Sequence, residues 1–227
     1  MKLFLTDLPM GTSSLLNLLA KEKFMSRFSL VGGTALALQI NHRQSEDLDF
    51  VFDGEKIDAT GIKRFISRLF PQFRIIREEA GYQLDFLIGE VKLTFFSTGA
   101  VLIPFSVKEY TFKFGKLNIS NVSTLAVLKM ATLSQRCTMR DYYDIYYLAK
   151  HVIPLSEIYN TTRLLIPFLS PITYSETIIY TRDIPENSIS AHLSPKEMIT
   201  KDQIAEFFIG EIRKMKAGPR AIENRTS

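Results

Sequence analysis

The sequence predicts an α+β fold: a mixed α/β unit over residues 1–117, with a mixed sheet and flanking helices, followed by a helical bundle over residues 118–227. Three observations predict it. Short strand-like runs alternate with helical spacing through the first half of the chain. Two of those runs meet at Gly89-Glu90, a two-residue hairpin loop with glycine at its first central position. Beyond Ile119 the apolar spacing is helical throughout.

Phe28–Val31 reads as a strand that runs into Gly32-Gly33-Thr34 and then a short helix from Ala35 to about Asn41. Leu48–Phe52 is a second strand, and Asp58–Phe70 an amphipathic helix that Pro71 ends. Tyr82–Ile88 and Val91–Phe96 are the hairpin strands. Counting back from the loop sets Ile88 opposite Val91 and Asp85 opposite Thr94. Tyr82, Leu84, Phe86, Ile88, Val91, Leu93 and Phe95 then make one wholly apolar face, the core side, and Asp85 points to the polar face beside Thr94. Pro104 and Gly115 punctuate a less regular extended region. Ser123–Arg136, Met139–Lys150, and segments around Ile153–Phe168 and Pro195–Lys216 complete the bundle.

The composition supports a folded chain and excludes several classes of function. Of the 227 residues, 46% are hydrophobic and 23% charged, which suits one large domain or two small ones and excludes a mostly disordered chain. A single cysteine, Cys137, excludes an internal disulfide and any multi-thiolate zinc site. His42, His151 and His192 have no metal-ligand spacing. The apolar run of Met1–Pro9 is too short for a signal peptide, and no stretch is long enough to span a membrane, so a cytoplasmic protein is expected. From Arg213 onward there are five basic residues (Arg213, Lys214, Lys216, Arg220, Arg225) and one acid, Glu223; without them 23 basic and 23 acidic residues remain. The body is therefore neutral, and the tail is either a solvated end or a nucleic-acid contact.

Asp47-Leu48-Asp49 is the most informative stretch. On a strand, residues i and i+2 share a face, so the two carboxylates project together while Leu48, Phe50 and Phe52 face the core. Carboxylates about 7 Å apart repel unless a cation sits between them, and Mg²⁺ suits a few carboxylates plus phosphate oxygens. The alternative is a pair of exposed acids on a sheet edge. Just upstream, Gly32-Gly33-Thr34 lies between a strand and a helix N-terminus. Glycine lets the backbone approach a phosphate, and free N–H groups favour an anion. The same turn is also explained as a tight strand-to-helix connection with Thr34 as the N-cap.

Gly32-Gly33-Thr34-Ala35-Leu36-Ala37-Leu38 followed by His42-Arg43-Gln44-Ser45-Glu46-Asp47-Leu48-Asp49-Phe50 resembles the first motif of the DNA polymerase β-like nucleotidyltransferase superfamily. Within it, the chain is most similar to the AbiEii-type nucleotidyltransferases, toxin components of type IV toxin–antitoxin systems. The resemblance implies that Gly32, Gly33, Thr34 and Arg43 bind an NTP and that Asp47 and Asp49 bind Mg²⁺, with Mn²⁺ as its substitute. It further implies nucleotidyl transfer to an acceptor hydroxyl, with RNA (tRNA-like) as the acceptor and an antitoxin protein as a partner. Ser123–Ala131, Arg136 and Arg140–Leu148 are similar to the family's C-terminal motifs, which pair a helix lysine with an Arg/Lys-Asp-x-x-Asp helix. By that similarity Lys129 and Asp141 are catalytic, Arg140, Asp144 and again Lys129 bind substrate, and the helical domain completes the active-site cleft.

Read from the residues themselves, Lys129 is the only charge between Ser123 and Ser134 on a helix apolar almost all round. A buried lysine is costly unless paired, so it faces a cleft or an anion, or else snorkels to the surface. Thr138 and Asp141 have the spacing of a near capping box, and Asp144 lies one turn along the same side; either acid is placed to pair with Lys129 or Arg140. Tyr142, Tyr143, Tyr146 and Tyr147 either pack in the core or stack on a base.

One departure matters. Relatives in the family commonly carry a third carboxylate on a later strand, where this chain has Thr94 in Lys92-Leu93-Thr94-Phe95-Phe96. Threonine is a poor base and a weak metal ligand. Asp85, one strand across, either takes over that catalytic role or is an ordinary strand aspartate. Three functions are therefore weighed: transfer to RNA, transfer to a small-molecule or protein hydroxyl, and a nucleotide-binding or interaction module that has lost catalysis.

Overall fold

Seven strands pair into one mixed sheet in a computed structural model that describes residues 3–101, 103–184 and 193–217. The chain divides into two units, residues 1–125 with 192–196 and residues 126–191 with 197–227. All the strands belong to the first. They are β1 (Ser29–Val31), β2 (Leu48–Phe52), β3 (Arg74–Glu79), β4 (Gln83–Ile88), β5 (Val91–Ser97), β6 (Thr111–Phe114) and β7 (Leu117–Ser120), in the order β3-β4-β5-β2-β1-β7-β6. β2 is parallel to β5 and antiparallel to β1, which in turn is parallel to β7. The mixed α/β class is therefore as expected.

The β4–β5 register follows the loop. Ile88 pairs with Val91 and Asp85 with Thr94, and Gly89 takes the positive φ (60°) that the tight turn needs. The apolar face of this hairpin forms the core: Leu84, Phe86, Leu93 and Phe95 are all fully buried, with Leu30, Leu48 and Phe50 beside them. Phe95 stacks on Phe50 at 5.6 Å between ring centroids and takes the edge of Phe28 at 5.0 Å, offset arrangements that suit the ring quadrupoles. Tyr82 and Phe52 lie at strand ends and are only partly covered.

Three helices belong wholly to this unit. Helix α1 (Met10–Leu19) buries Leu15, Leu16 and Leu19; Gly11, Thr12, Ser13 and Ser14 dilute its helical spacing, and the sequence reading passes over it. Helix α2 (Gly32–Ile40) ends at Asn41, in the left-handed conformation (φ 49°). Helix α3 (Ala59–Leu69) is capped by Asp58, whose carboxylate accepts from Gly61 N at 2.9 Å, and it stops before Pro71. Strand β3 also escapes the sequence reading, because all six of its residues are exposed and none alternates into a core. Strands β6 and β7, which fall in the stretch expected as less regular and extended, are a hairpin turned by Gly115 (φ 58°).

Helix α4 (Val122–Leu133) carries the chain into the second unit, which holds α5 (Met139–His151), α6 (Leu155–Leu165), α7 (Pro171–Ile179) and α8 (Lys201–Ala217). Helix α8 packs on α7 and α5, and α6 packs on α5. Tyr142, Tyr143, Ile145, Ile158, Tyr174, Ile178, Ile204 and Phe208 are buried. Tyr142 donates its hydroxyl to the carbonyls of Thr177 (2.7 Å) and Tyr180 (2.9 Å), the satisfied polar tip of a core tyrosine. The helix expected from Pro195 starts only at Lys201. His192 and the basic tail at Arg220, Glu223 and Arg225 lie outside the described residues.

Candidate functional site

Helix α2 starts at Gly32, three residues earlier than the sequence suggests, with Val31 in the N-cap position. Thr34 is therefore inside the first turn and is not the cap. Its buried hydroxyl donates instead to the backbone carbonyl of Asp47, which ties the helix start to the entry of β2. Gly32 has φ 75°, and a Cβ built there would lie 2.5 Å from Asp49 Oδ2. A Cβ on Gly33 would lie 2.8 Å from an Arg43 guanidinium nitrogen and 2.8 Å from Ser45 Oγ. The glycines are thus the space in which an aspartate, an arginine and a serine approach the helix N-terminus. Gly32, Gly33, Thr34, Arg43, Asp47 and Asp49 come together as the sequence suggests, joined by Ser45. Asp47 and Asp49 are half-buried, whereas Arg43 and Ser45 are buried.

The loop that carries Arg43 is closed by a distant segment. Gln44 N donates to Leu193 O at 2.7 Å and Lys196 N donates to His42 O at 2.8 Å, so these backbone bonds bracket Arg43. Arg43 Nη1 itself donates to Gln44 O at 2.8 Å. No side-chain pattern encodes such backbone pairing, and the sequence gives no signal for it.

Asp49, Thr94 and Asp85 form a row across three neighbouring strands. Asp49 pairs with Thr94 across β2–β5, and Thr94 pairs with Asp85 across β5–β4. Asp85 is 2% exposed; its Oδ1 accepts from Gln83 Nε2 at 2.8 Å and its Oδ2 meets Lys92 Nζ at 3.0 Å. Thr94 Oγ1 is buried without a hydrogen-bond partner, an arrangement that costs about 1–3 kcal/mol if nothing fills the space. Among the described residues, no group of three or more His, Cys, Asp or Glu side chains is placed to hold a metal. Two half-buried carboxylates beside a glycine turn nevertheless fit Mg²⁺, which takes one or two protein carboxylates and completes its shell with water and phosphate.

Lys129, Asp141 and Asp144 meet in the second unit. Lys129 Nζ is 2.7 Å from Asp141 Oδ1 and 2.7 Å from Asp144 Oδ2, with side-chain exposures of 8%, 1% and 0%. Arg136 Nε reaches Asp141 Oδ2 at 2.9 Å, and the Thr138 hydroxyl donates to the same oxygen at 2.6 Å. Lys129 and Arg136 thus set two positive charges against these two carboxylates. Arg140 stays on the exposed side of the helix. Burial pushes the Asp141 carboxyl up, but the charge of Lys129 and the bonds from Arg136 outweigh it and hold the group below its ordinary value.

A carboxyl depressed in the fold contributes stability that is complete above its unfolded pKa, about 3.9, and is lost as pH falls through the folded value. Urea midpoints measured from pH 6 to pH 2 should therefore fall more steeply below pH ~4 for the native chain than for Asp141→Asn. Parallel slopes would remove Asp141 from the account of acid stability.

A family model described as nucleotidyl transferase AbiEii toxin of type IV toxin–antitoxin systems matches residues 14–208. The chain is 31% identical over 133 residues to an uncharacterized protein of Aquifex aeolicus (strain VF5); the match covers 58% of this chain and 62% of that protein, less than two thirds of its length. Among solved structures, the chain is similar to the nucleotidyltransferase toxin MenT4 from Mycobacterium tuberculosis H37Rv. There the TM-score is 0.55 and the identity 14%, over 90% of this chain and 86% of that one. It is also similar to a candidate nucleotidyltransferase from H. pylori, with a TM-score of 0.52 and 17% identity over 92% of this chain and 98% of that one. At such identities the likeness concerns the fold. Among the described residues, no helix is long and apolar enough to cross a membrane.

Proposed function

Because this chain belongs to the AbiEii family of nucleotidyltransferase toxins of type IV toxin–antitoxin systems, we propose that it moves a nucleotidyl group from an NTP to an acceptor hydroxyl with the help of Mg²⁺, or Mn²⁺ in its place. The observation that carries this reading is the fit of Asp49 into the space left by Gly32, which joins the glycine turn and the paired aspartates in one place. RNA is the acceptor we favour, an antitoxin protein the regulatory partner, and the cytoplasm the compartment in which both are met.

In this reading Asp47 and Asp49 hold the cation, which when bound stabilises charge on the entering and leaving oxygens. The backbone at Gly32 and Gly33 admits the phosphates closely, and the free N–H groups of the first turn of α2 favour their charge. Arg43, buried against Gly33, adds a positive charge beside them. Thr34 holds the helix start and the Asp47 backbone in register. An acceptor hydroxyl then attacks the α-phosphorus and pyrophosphate leaves. Lys129, Asp141 and Asp144 serve this reaction as one preassembled ion-paired unit, with Arg140 as the outward-facing contact to substrate. Asp85 acts from its place two strands away from Asp49.

The direct test is Mg²⁺-dependent NTP binding in the native chain and in Asp49→Asn. Mg²⁺ should tighten binding at least ~10-fold in the native chain and leave the variant unaffected, since the loss of one of two metal carboxylates removes half of the ligand charge at the site. Equal metal dependence in both proteins would sink the reading. Labelled NTPs offered with RNA, protein and small-molecule fractions identify the acceptor by the fraction that becomes labelled.

A further inference from the structure

Thr94 is 5% exposed, and its hydroxyl oxygen is buried with no hydrogen-bond partner. It lies opposite Asp49 in one ladder and opposite Asp85 in the next, so all three side chains rise from the same face of the sheet. Strands are spaced by about 4.8 Å, which puts the Asp49 and Asp85 backbones ~10 Å apart. That span is of the size an ion with part of its water shell would bridge. Asp85 is not loose in this position. Gln83 holds one of its oxygens and Lys92 the other, and each oxygen keeps a further lone pair.

We propose that Thr94 and Asp85 form an outer-sphere position for the cation that Asp49 ligates, with a water of the cation's shell donating to Thr94 Oγ1 and to Asp85. The inference rests on the reading of Asp47 and Asp49 as the cation site. It names a role for a residue that the family resemblance marks only as a departure. Mg²⁺ gives up water reluctantly, so a site that accepts its water in place of a carboxylate suits it. A hydroxyl with no partner inside the protein suits a donor that arrives with the ligand. Gln83 and Lys92 then orient Asp85 as the outer partners of a metal ligand commonly are oriented.

The experiment is a Mn²⁺ titration of the full chain, following the free-ion paramagnetic resonance signal, on the native protein, Thr94→Val, Asp85→Asn and Asp49→Asn. Valine has nearly the shape of threonine and removes an unbonded hydroxyl, so metal-free Thr94→Val should melt no lower than the native chain. Its half-saturating Mn²⁺ concentration should rise ~10–100-fold, the usual effect of removing an outer-shell partner, and Asp85→Asn should show a similar rise. Native-like Mn²⁺ binding by Thr94→Val overturns the proposal and leaves Asp85 as the structural partner of Lys92. That outcome is distinguishable from failure of the underlying reading, in which Asp49→Asn itself binds Mn²⁺ like the native chain. Thr94→Val does not disturb the Asp85–Lys92 pair, so it remains decisive even if Asp85→Asn folds poorly.

Discussion

Lys129→Ala is expected to lower the stability of the chain by about 3–5 kcal/mol, because it leaves Asp141 and Asp144 buried without their shared cation. Against a typical total of about 5–15 kcal/mol, that is a third or more of the stability of an average domain. The chain has no tryptophan, so urea unfolding is best followed by circular dichroism and tyrosine fluorescence. Arg136 pairs with Asp141 but is itself 61% exposed, so it offsets little of the loss. The triple variant Lys129→Met, Asp141→Asn, Asp144→Asn should recover much of it, since removing a buried ion cluster whole is often far less damaging than breaking it. An unchanged midpoint in Lys129→Ala would show that water reaches the two carboxylates. The consequence for function is practical. Loss of activity in Lys129→Ala cannot be assigned to phosphate binding until its folded fraction is known.

Gly32→Ala should damage nucleotide binding more than any change of one methyl group elsewhere in the first unit. Two costs add. The backbone at φ 75° disfavours any side chain, by about 1–3 kcal/mol. The new Cβ would also sit 2.5 Å from Asp49 Oδ2, so either the carboxylate or the helix start must move. Asp49 is on a central strand with its neighbours buried, which leaves its side chain as the part that gives way. The expected result is a folded protein, moderately destabilised, whose NTP affinity no longer responds to Mg²⁺. Gly33→Ala is the comparison: its backbone carries no positive φ, and its Cβ meets the Arg43 guanidinium and the Ser45 hydroxyl rather than either of the paired aspartates. If Gly32→Ala kept native Mg²⁺-dependent binding, the close approach of Asp49 to the turn would have no part in holding the ion.

What was legible in the sequence follows from how local the determinants are. A two-residue loop fixes hairpin register, so the pairing of Asp85 with Thr94 could be counted from Gly89-Glu90. Period-two alternation set Asp49 apart from the buried Leu48 and Phe50 on β2, and the preceding glycines announced its close approach; Asp47, expected on the same strand face, lies just before the strand begins. The pairing of Lys129 with Asp141 and Asp144 was half legible. Helical spacing set the two acids on one side of α5, but only the structure shows that one lysine serves both and that Arg140 turns outward. Strand β3 carries no alternation because, at the edge, nothing buries either face. The start of α2 was misplaced because glycine has low helix propensity and Thr34 looks like a cap, whereas its hydroxyl is engaged by Asp47.

The backbone bonds that close the Arg43 loop also set when the site can be finished. Every strand of the sheet lies before residue 121, but Leu193 and Lys196 reach the ribosome's exit much later. At about 5–20 residues per second, the roughly 150 residues between Gln44 and Leu193 represent on the order of 10–30 s of synthesis. Throughout that interval a nascent chain holds the glycine turn and both aspartates, yet the loop between them lacks the segment that brackets its arginine. The Arg43 loop is thus the last part of the first unit to be completed, and a chain interrupted before that moment is left with that loop open.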